Sequence, residues 1–400
     1  MNHRLSKGLI LLLLPLMLSS CWSHHELNDM SIVVGMGIDR VDNQYIISIQ
    51  TVNPGQVSVK KGPSSSAAPV ITYEETGMTI PEALTRMTVK APRHLYFAHL
   101  RMVVISEKAA QDGIAKSLDY LSRNNEMRTD FYFIIAKQAK ASDVLKVFSV
   151  MDPIPANNMF TKLETSDNYW AATGSMNLNR LLQELGMRGK SPTMTGVEIS
   201  GNRKLGQTTA NGHRIDPPAL IKYAGMAAFK SDRFVGWLDE NDTKALNYVQ
   251  DSVIQTLGQF PCPDGDGRIS MQVIRSKSTI KAALRNGQPE FDVYLRVEQD
   301  LAAAECKADL SKSSIVAELK KASDKKLEAL LGNSIKKIQK QYGTDIYGFG
   351  EAIHRSFPET WHQIKDWDQA FAKAPVRIHA NTVLRRVGTI LQPIDTITKQ

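Results

Sequence analysis

Leu9 to Leu18 is an apolar run of ten residues, broken only by Pro15, and nothing else in the chain restricts its fate as tightly. A helix that crosses a bilayer needs about 20 apolar residues, so this run is too short to span. It follows a basic start, with His3, Arg4 and Lys7, and it leads directly into Leu18-Ser19-Ser20-Cys21, an aliphatic residue, two small residues and a cysteine. That is the pattern of a lipobox. The expectation is a lipoprotein signal peptide over residues 1–20, cleavage before Cys21, and diacylglycerol on its sulfur. Two acyl chains supply the double signal that stable anchoring needs, since each buried CH₂ contributes about 0.8 kcal/mol. Fold and function are then to be sought after Cys21, outside the cytoplasm, where thiols can oxidise.

The 400 residues are 42% hydrophobic and 22% charged, which excludes both a polytopic membrane protein and a disordered chain. The length suits two or three domains. A net charge of +8 would suit an anionic membrane surface or wall polymer as well as nucleic acid. Charge alone does not choose, and nothing else in the sequence speaks for nucleic acid.

Patterning predicts an α/β or α+β chain with many antiparallel hairpin signals. Residues 31–38 and 45–51 read as a β-hairpin about Asp42-Asn43, and 54–69 as a polar excursion. Thr79-Ile-Pro-Glu82 is a capping box that opens a helix near Pro81. Strands at 101–105 and 131–136 alternate with helices near 108–121 and 142–148. After Asp152-Pro153-Ile154-Pro155 an irregular stretch is expected, then a helix at 177–185 and strands at 195–199 and 219–229. The hairpin has few residues of its own, so the segment 22–55 is expected to join 190–235 in one subdomain, with 70–185 inserted as a second, α/β subdomain. Residues 258–267, rich in Gly and Pro, read as a break. Beyond it two strand runs flank Asn286-Gly287, the strongest short hairpin signal. A long amphipathic helix over 312–342 and a closing strand pair, 376–383 and 387–394, complete a second mixed α/β domain. Ile315, Leu319, Leu327, Leu331, Ile335 and Ile338 give the helix its apolar face; its lysines are either a solvated face or an attraction to anionic lipid.

Chemistry is nearly absent. Gly186 to Ser191 ends like a phosphate-binding loop, but Glu184 stands where the first glycine belongs. Pro263 to Gly267 has the look of a calcium loop, yet Arg268 takes a ligand position. His24, His25, His94 and His99 belong to no metal motif, and no catalytic elbow or cysteine context is present. No cofactor and no catalytic residue are implied. With the hairpin turning at Asn286-Gly287, residue 268 lies opposite about 305. Cys262 and Cys306 therefore fall at one end of the strand pair, either bridged or as two free thiols.

Motifs along the whole chain resemble the Ger(x)C spore germination lipoproteins, the C subunits of nutrient germinant receptors. They include Cys21-Trp22 with Glu26-Leu27, Gly37-Ile38-Asp39, Thr79-Ile-Pro-Glu-Ala83, Ala98-His99-Leu100, Arg123-Asn-Asn-Glu126-Met-Arg128, Phe229 to Gly236, and Asp345-Ile-Tyr-Gly348-Phe-Gly350, followed by Phe357-Pro358, Trp361 and Trp367. Ser23 departs from the acidic residue usual there. The resemblance implies an N-terminal germination-protein region over 22–200 and a C-terminal domain over 223–395. It implies an α+β fold of three subdomains with mixed, largely antiparallel sheets flanked by helices, no catalysis, and anchorage on the outer face of the inner spore membrane beside membrane-embedded A and B subunits. For His99, Arg123, Glu126, Arg128 and Asp345 it leaves two roles open: buried bonds that maintain the fold, or a contact surface for partners. A lipid-anchored extracytoplasmic solute-binding protein is the rival class, which would show two similar lobes about a cleft.

Overall fold

The computed structural model describes residues 29–54, 68–149, 151–262, 267–305 and 312–386. Cys21, Trp22, Glu26, Leu27, Cys306 and the expected strand at 387–394 lie outside them.

The strands β1 (Met30–Val41), β2 (Gln44–Val52), β3 (Val70–Gly77), β4 (His94–Tyr96), β5 (Met102–Ser106), β6 (Tyr132–Ala136), β7 (Thr193–Gly201), β8 (Ala219–Lys230) and β9 (Arg233–Leu238) form one sheet. Its order is β3-β2-β1-β5-β6-β7-β8-β9, with β4 also on β1. The middle strands β1, β5, β6 and β7 run parallel; the outer pairs are antiparallel. Parallel strands covered on both faces must be apolar throughout. Accordingly Val103, Ile105, Phe133 and Ile135 enter one core, and Met102, Val104, Ile134 and Ala136 enter the core on the opposite face.

Helices follow from local signals. Thr79 Oγ1 accepts the Glu82 amide at 3.3 Å and the Glu82 carboxylate accepts the Met78 amide at 2.7 Å, which starts α1 (Ile80–Met87). Gly113, at φ +108°, separates α2 (Glu107–Asp112) from α3 (Ala115–Arg123). Helices α4 (Ala141–Leu145), α5 (Pro155–Tyr169), α6 (Leu178–Gly186) and α7 (Arg203–Gly206) complete the first unit.

Helix α8 (Glu240–Val249), capped by Asp239, leads into a second sheet of order β10-β11-β12-β13. Its strands are β10 (Thr256–Pro261), β11 (Arg268–Arg285), β12 (Gln288–Ala304) and β13 (Val376–Arg386). Asn286 and Gly287 have φ of 51° and 75°, as the two-residue hairpin turn requires. Helix α9 (Ser313–Gln341) then buries Leu319, Leu327, Leu331, Ile335 and Ile338 as the periodicity demands. The short helices α10 (Phe349–Ser356), α11 (Pro358–Gln363) and α12 (Trp367–Lys373) return the chain to β13, which runs parallel to β12.

Three local expectations change. The strands within 70–185 make no sheet of their own, since β5 and β6 lie between β1 and β7 in the large sheet. The stretch after Pro153 is helical, with Pro155 in its first turn and Ala156, Met159 and Leu163 buried. The Gly/Pro-rich break begins as β10, an edge strand that admits Pro261 at its last position.

Candidate functional site

Helix α9 ends because Gly343 takes φ +57°, with the Tyr342 and Gly343 amides both donating to the Ile338 carbonyl. Asp345 follows, only 1% exposed. Its carboxylate accepts the amides of Tyr347 at 3.0 Å, Gly348 at 2.9 Å and Gly350 at 2.8 Å, and the Trp367 indole N–H at 3.1 Å. Burial pushes the carboxyl up to about 6, and these donors hold it below where burial alone would take it. Asp345 therefore braces the turn before α10. The position that caps α10 is Gly348, at φ +90°, and Asp345 acts from three residues before it.

The same turn closes the seam between the two sheets. The Ser191 amide donates to the Asp345 carbonyl at 2.7 Å, and the Ser191 and Thr344 hydroxyls are 2.8 Å apart. Gln250 donates to the Ile346 carbonyl at 2.7 Å. A Cβ on Gly350 would sit 2.4 Å from the Gly189 Cα, so two glycines let α10 touch the loop after α6. The stretch from Gly186 to Ser191 is thus a packing surface.

A second buried carboxylate, Asp39, accepts the amides of Ala141 at 2.9 Å and Ser142 at 3.2 Å, where α4 begins. Burial raises its pKa above the usual carboxylate value. Gly37 lets α4 approach, since a Cβ there would meet Leu145 at 3.1 Å and Ala141 at 3.3 Å. Gly37 and Asp39 join β1 to α4.

The other motif residues form a different environment. Arg123 pairs with Asp119 at 2.9 Å while its side chain stays 77% exposed. Arg128 pairs with Asp130 at 3.1 Å, also at the surface. His94 meets Glu126 at 3.2 Å, and exposed His99 lies edge-on to Tyr96. Of the five residues whose role was left open, only Asp345 has the buried bonds of the fold-maintaining role. The surface set sits where β1, β4, β5 and β6 begin: Met30 is level with His94, and Met102 with Tyr132. The sequence signals alone did not indicate that these residues share one end of the sheet.

Cys262 is buried and disulfide-bonded. Its amide donates to the Gly267 carbonyl, and the Glu305 amide donates to the Arg268 carbonyl, which is the register expected from the hairpin. Among the described residues no three His, Cys, Asp or Glu side chains gather to hold a metal ion, and no helix is long and apolar enough to cross a membrane.

Two unlike units, a nine-stranded sheet and a four-stranded one joined at a braced turn, define the architecture. "Spore germination protein N-terminal domain" matches residues 23–199, and "Spore germination B3/ GerAC like, C-terminal" matches residues 224–388. The chain belongs to the GerAC-like family of spore germination proteins, a non-enzymatic germinant-receptor family. Spore germination protein KC of Bacillus subtilis (strain 168) is 31% identical over 394 residues, covering 97% of each chain. Spore germination protein B3 of the same organism is 23% identical over 393 residues, covering 96% of this chain and 98% of that one. The crystal structure of the GerBC protein shares the fold, with a TM-score of 0.52 at 21% identity, covering 88% of this chain and 97% of that one.

Removing the Asp345 carboxylate leaves four N–H donors without it, two of them from Gly350 and Trp367. Asp345→Ala is expected to cost about 3 kcal/mol or more, read by urea unfolding. The pH dependence has a definite sign. A folded pKa near 6 against a free value of 3.8 gives stability that is full below the free value and lost as pH rises through about 6. Asp345→Asn lacks that term, so wild type minus Asn variant should be about 2 kcal/mol larger at pH 4.5 than at pH 7.5. An equal gap at both pH values would remove Asp345 as the titrating group.

Proposed function

We propose that this chain is the lipid-anchored, non-enzymatic subunit of a spore nutrient germinant receptor, required for the germination response to nutrients. It acts on the outer face of the inner spore membrane, beside membrane-embedded A and B subunits. The observation that carries the reading is the pair of germination matches, in order, over most of the chain, with a KC relative alignable over 97% of both sequences. The unlike sheets tell against the two similar lobes of a solute-binding protein.

Anchorage at Cys21 is supported by the lipobox and by distance. Cys21 precedes Asp29 by eight residues, a reach of at most about 28 Å. That tether enters at the end of the large sheet where His94, His99, Arg123, Glu126 and Arg128 are grouped. An exposed charged end held near a bilayer suits contact with the membrane-embedded subunits, and we assign these five residues to that surface. Trp22, Glu26 and Leu27 belong to the tether. Gly37, Asp39, Asp345, Gly348 and Gly350 serve the fold on which the surface is carried.

Cys21→Ala should release the chain into the soluble fraction with an unchanged melting temperature. A variant that stays on membranes through a high-salt wash would overturn the anchor. We further propose Cys306 as the partner of Cys262, because Glu305 already bonds to Arg268 beside the Cys262 strand end. Both thiols should resist alkylation until reduced, and Cys306→Ser should expose Cys262 to labelling. Quantitative labelling of both in the unreduced protein would exclude the bridge. The function itself is tested by deletion, which should block or slow germination by the nutrients of this receptor while triggers that bypass receptors still work. Normal nutrient germination, with no sister receptor to compensate, would overturn the assignment.

A further inference from the structure

Helix α8, strands β10 to β12 and helix α9 enclose a cavity of about 300 Å³. That volume lies at the small end of sites that hold organic ligands. Its walls are mixed: Trp170, Phe260, Met271 and Leu327 supply apolar surface, and Gln299 and Ser323 stand beside them. Three cations open onto it, Lys244, Arg268 and Lys326, against the single carboxylate of Glu240.

Lys244 is accounted for locally, since its ammonium lies 3.5 Å from the Trp170 ring centroid and 3.1 Å from Glu240. The other two stand exposed at the rim and make no ion pair among the described residues. Lys326 donates to the Gln259 carbonyl, a neutral partner. The Glu305 carboxylate accepts the backbone amide of Arg268, and the Arg268 guanidinium has no partner among the described residues. Burial first, then Arg268 and Lys244, hold the Lys326 ammonium below its usual pKa. Like charges that face one hollow repel one another, and an anion seated between them relieves that repulsion.

We propose that this cavity binds a small organic anion, its carboxylate between Lys326 and Arg268 and its apolar body against Phe260, Met271 and Leu327. The inference rests on the cavity alone and stands or falls apart from the receptor assignment. Arg268 can supply two parallel N–H donors to a carboxylate, while Lys326 supplies a point charge. Gly258, also in the wall, leaves room at the strand, since a Cβ there meets nothing within 4 Å.

The test is calorimetric titration of the purified full chain with 3-phenylpropionate, its neutral amide, and acetate. The acid should bind saturably, with the amide and acetate each weaker by about tenfold or more. Arg268→Gln and Lys326→Gln should each weaken the acid about tenfold without moving the melting temperature, and Gly258→Trp should abolish binding by filling the hollow. No saturable binding up to about 10 mM would overturn the proposal. So would an amide or acetate as tight as the acid, or binding that all three variants leave unchanged.

Discussion

One buried carboxylate holds the two halves of this protein in register. Asp345 takes four N–H donors and, among the described residues, no cation, so dipoles balance its charge. An ionised carboxylate is the side chain that offers acceptors and no donor, which is why aspartate fits. Asparagine would turn an amide nitrogen toward two of those donors. Burying the charge is costly, and the four bonds offset that cost only while the turn keeps its shape. Ser191, Gln250 and the contact of Gly189 with Gly350 then tie the large sheet to that shape. Losing the turn would leave the core shared by Met226, Leu238, Leu295 and Ile346 without its closure.

Local signals in the sequence were read where a residue and its neighbours settle the outcome. The capping box at Thr79 and the turn at Asn286-Gly287 each depend on a few adjacent residues, and each formed as its chemistry requires. The central strands were legible because burial on both faces leaves an unbroken apolar run. Helix α5 was not: only Pro155, Ala156, Met159 and Leu163 of its 15 residues are buried, and the prolines before it mimic a loop. Strand β10 carries Gly258 and Pro261, and it exists because β11 offers it a ladder, a tertiary effect that overrides propensity. Sheet order was hidden for the same reason. Hairpins are read from their turns, but the parallel neighbours β1 and β5 are separated by two strands, a helix and β4, and β5 and β6 by two helices, connections that carry no record of adjacency.

The candidate sites show the same division. Gly37-Ile38-Asp39 and Asp345 to Gly350 stand out as motifs, and so does Arg123 to Arg128, yet the first two are interior and the third is surface. Charge type does not reveal burial. A carboxylate is recognisable as interior only when the amides it accepts are known, and those of Asp39 come from residues about a hundred positions away.

Magnitudes separate the roles of these motifs. Exposed ion pairs such as Arg123 with Asp119 and Arg128 with Asp130 contribute about 0 to 1 kcal/mol each, too little to make them determinants of the fold. Asp345 and Asp39 each engage buried amides, where a lost partner costs several times more. The parallel strands place three connections at one end of the large sheet, 92–101 with β4 in it, 124–131 and 187–192. The third is clamped by the Asp345 turn, and the first two carry His94, His99, Glu126 and Arg128 to the surface beside the start of β1. A rigid end with one loop fixed and two left charged and open has its stability supplied by the clamp. What remains for the open pair is contact with whatever approaches the tethered end.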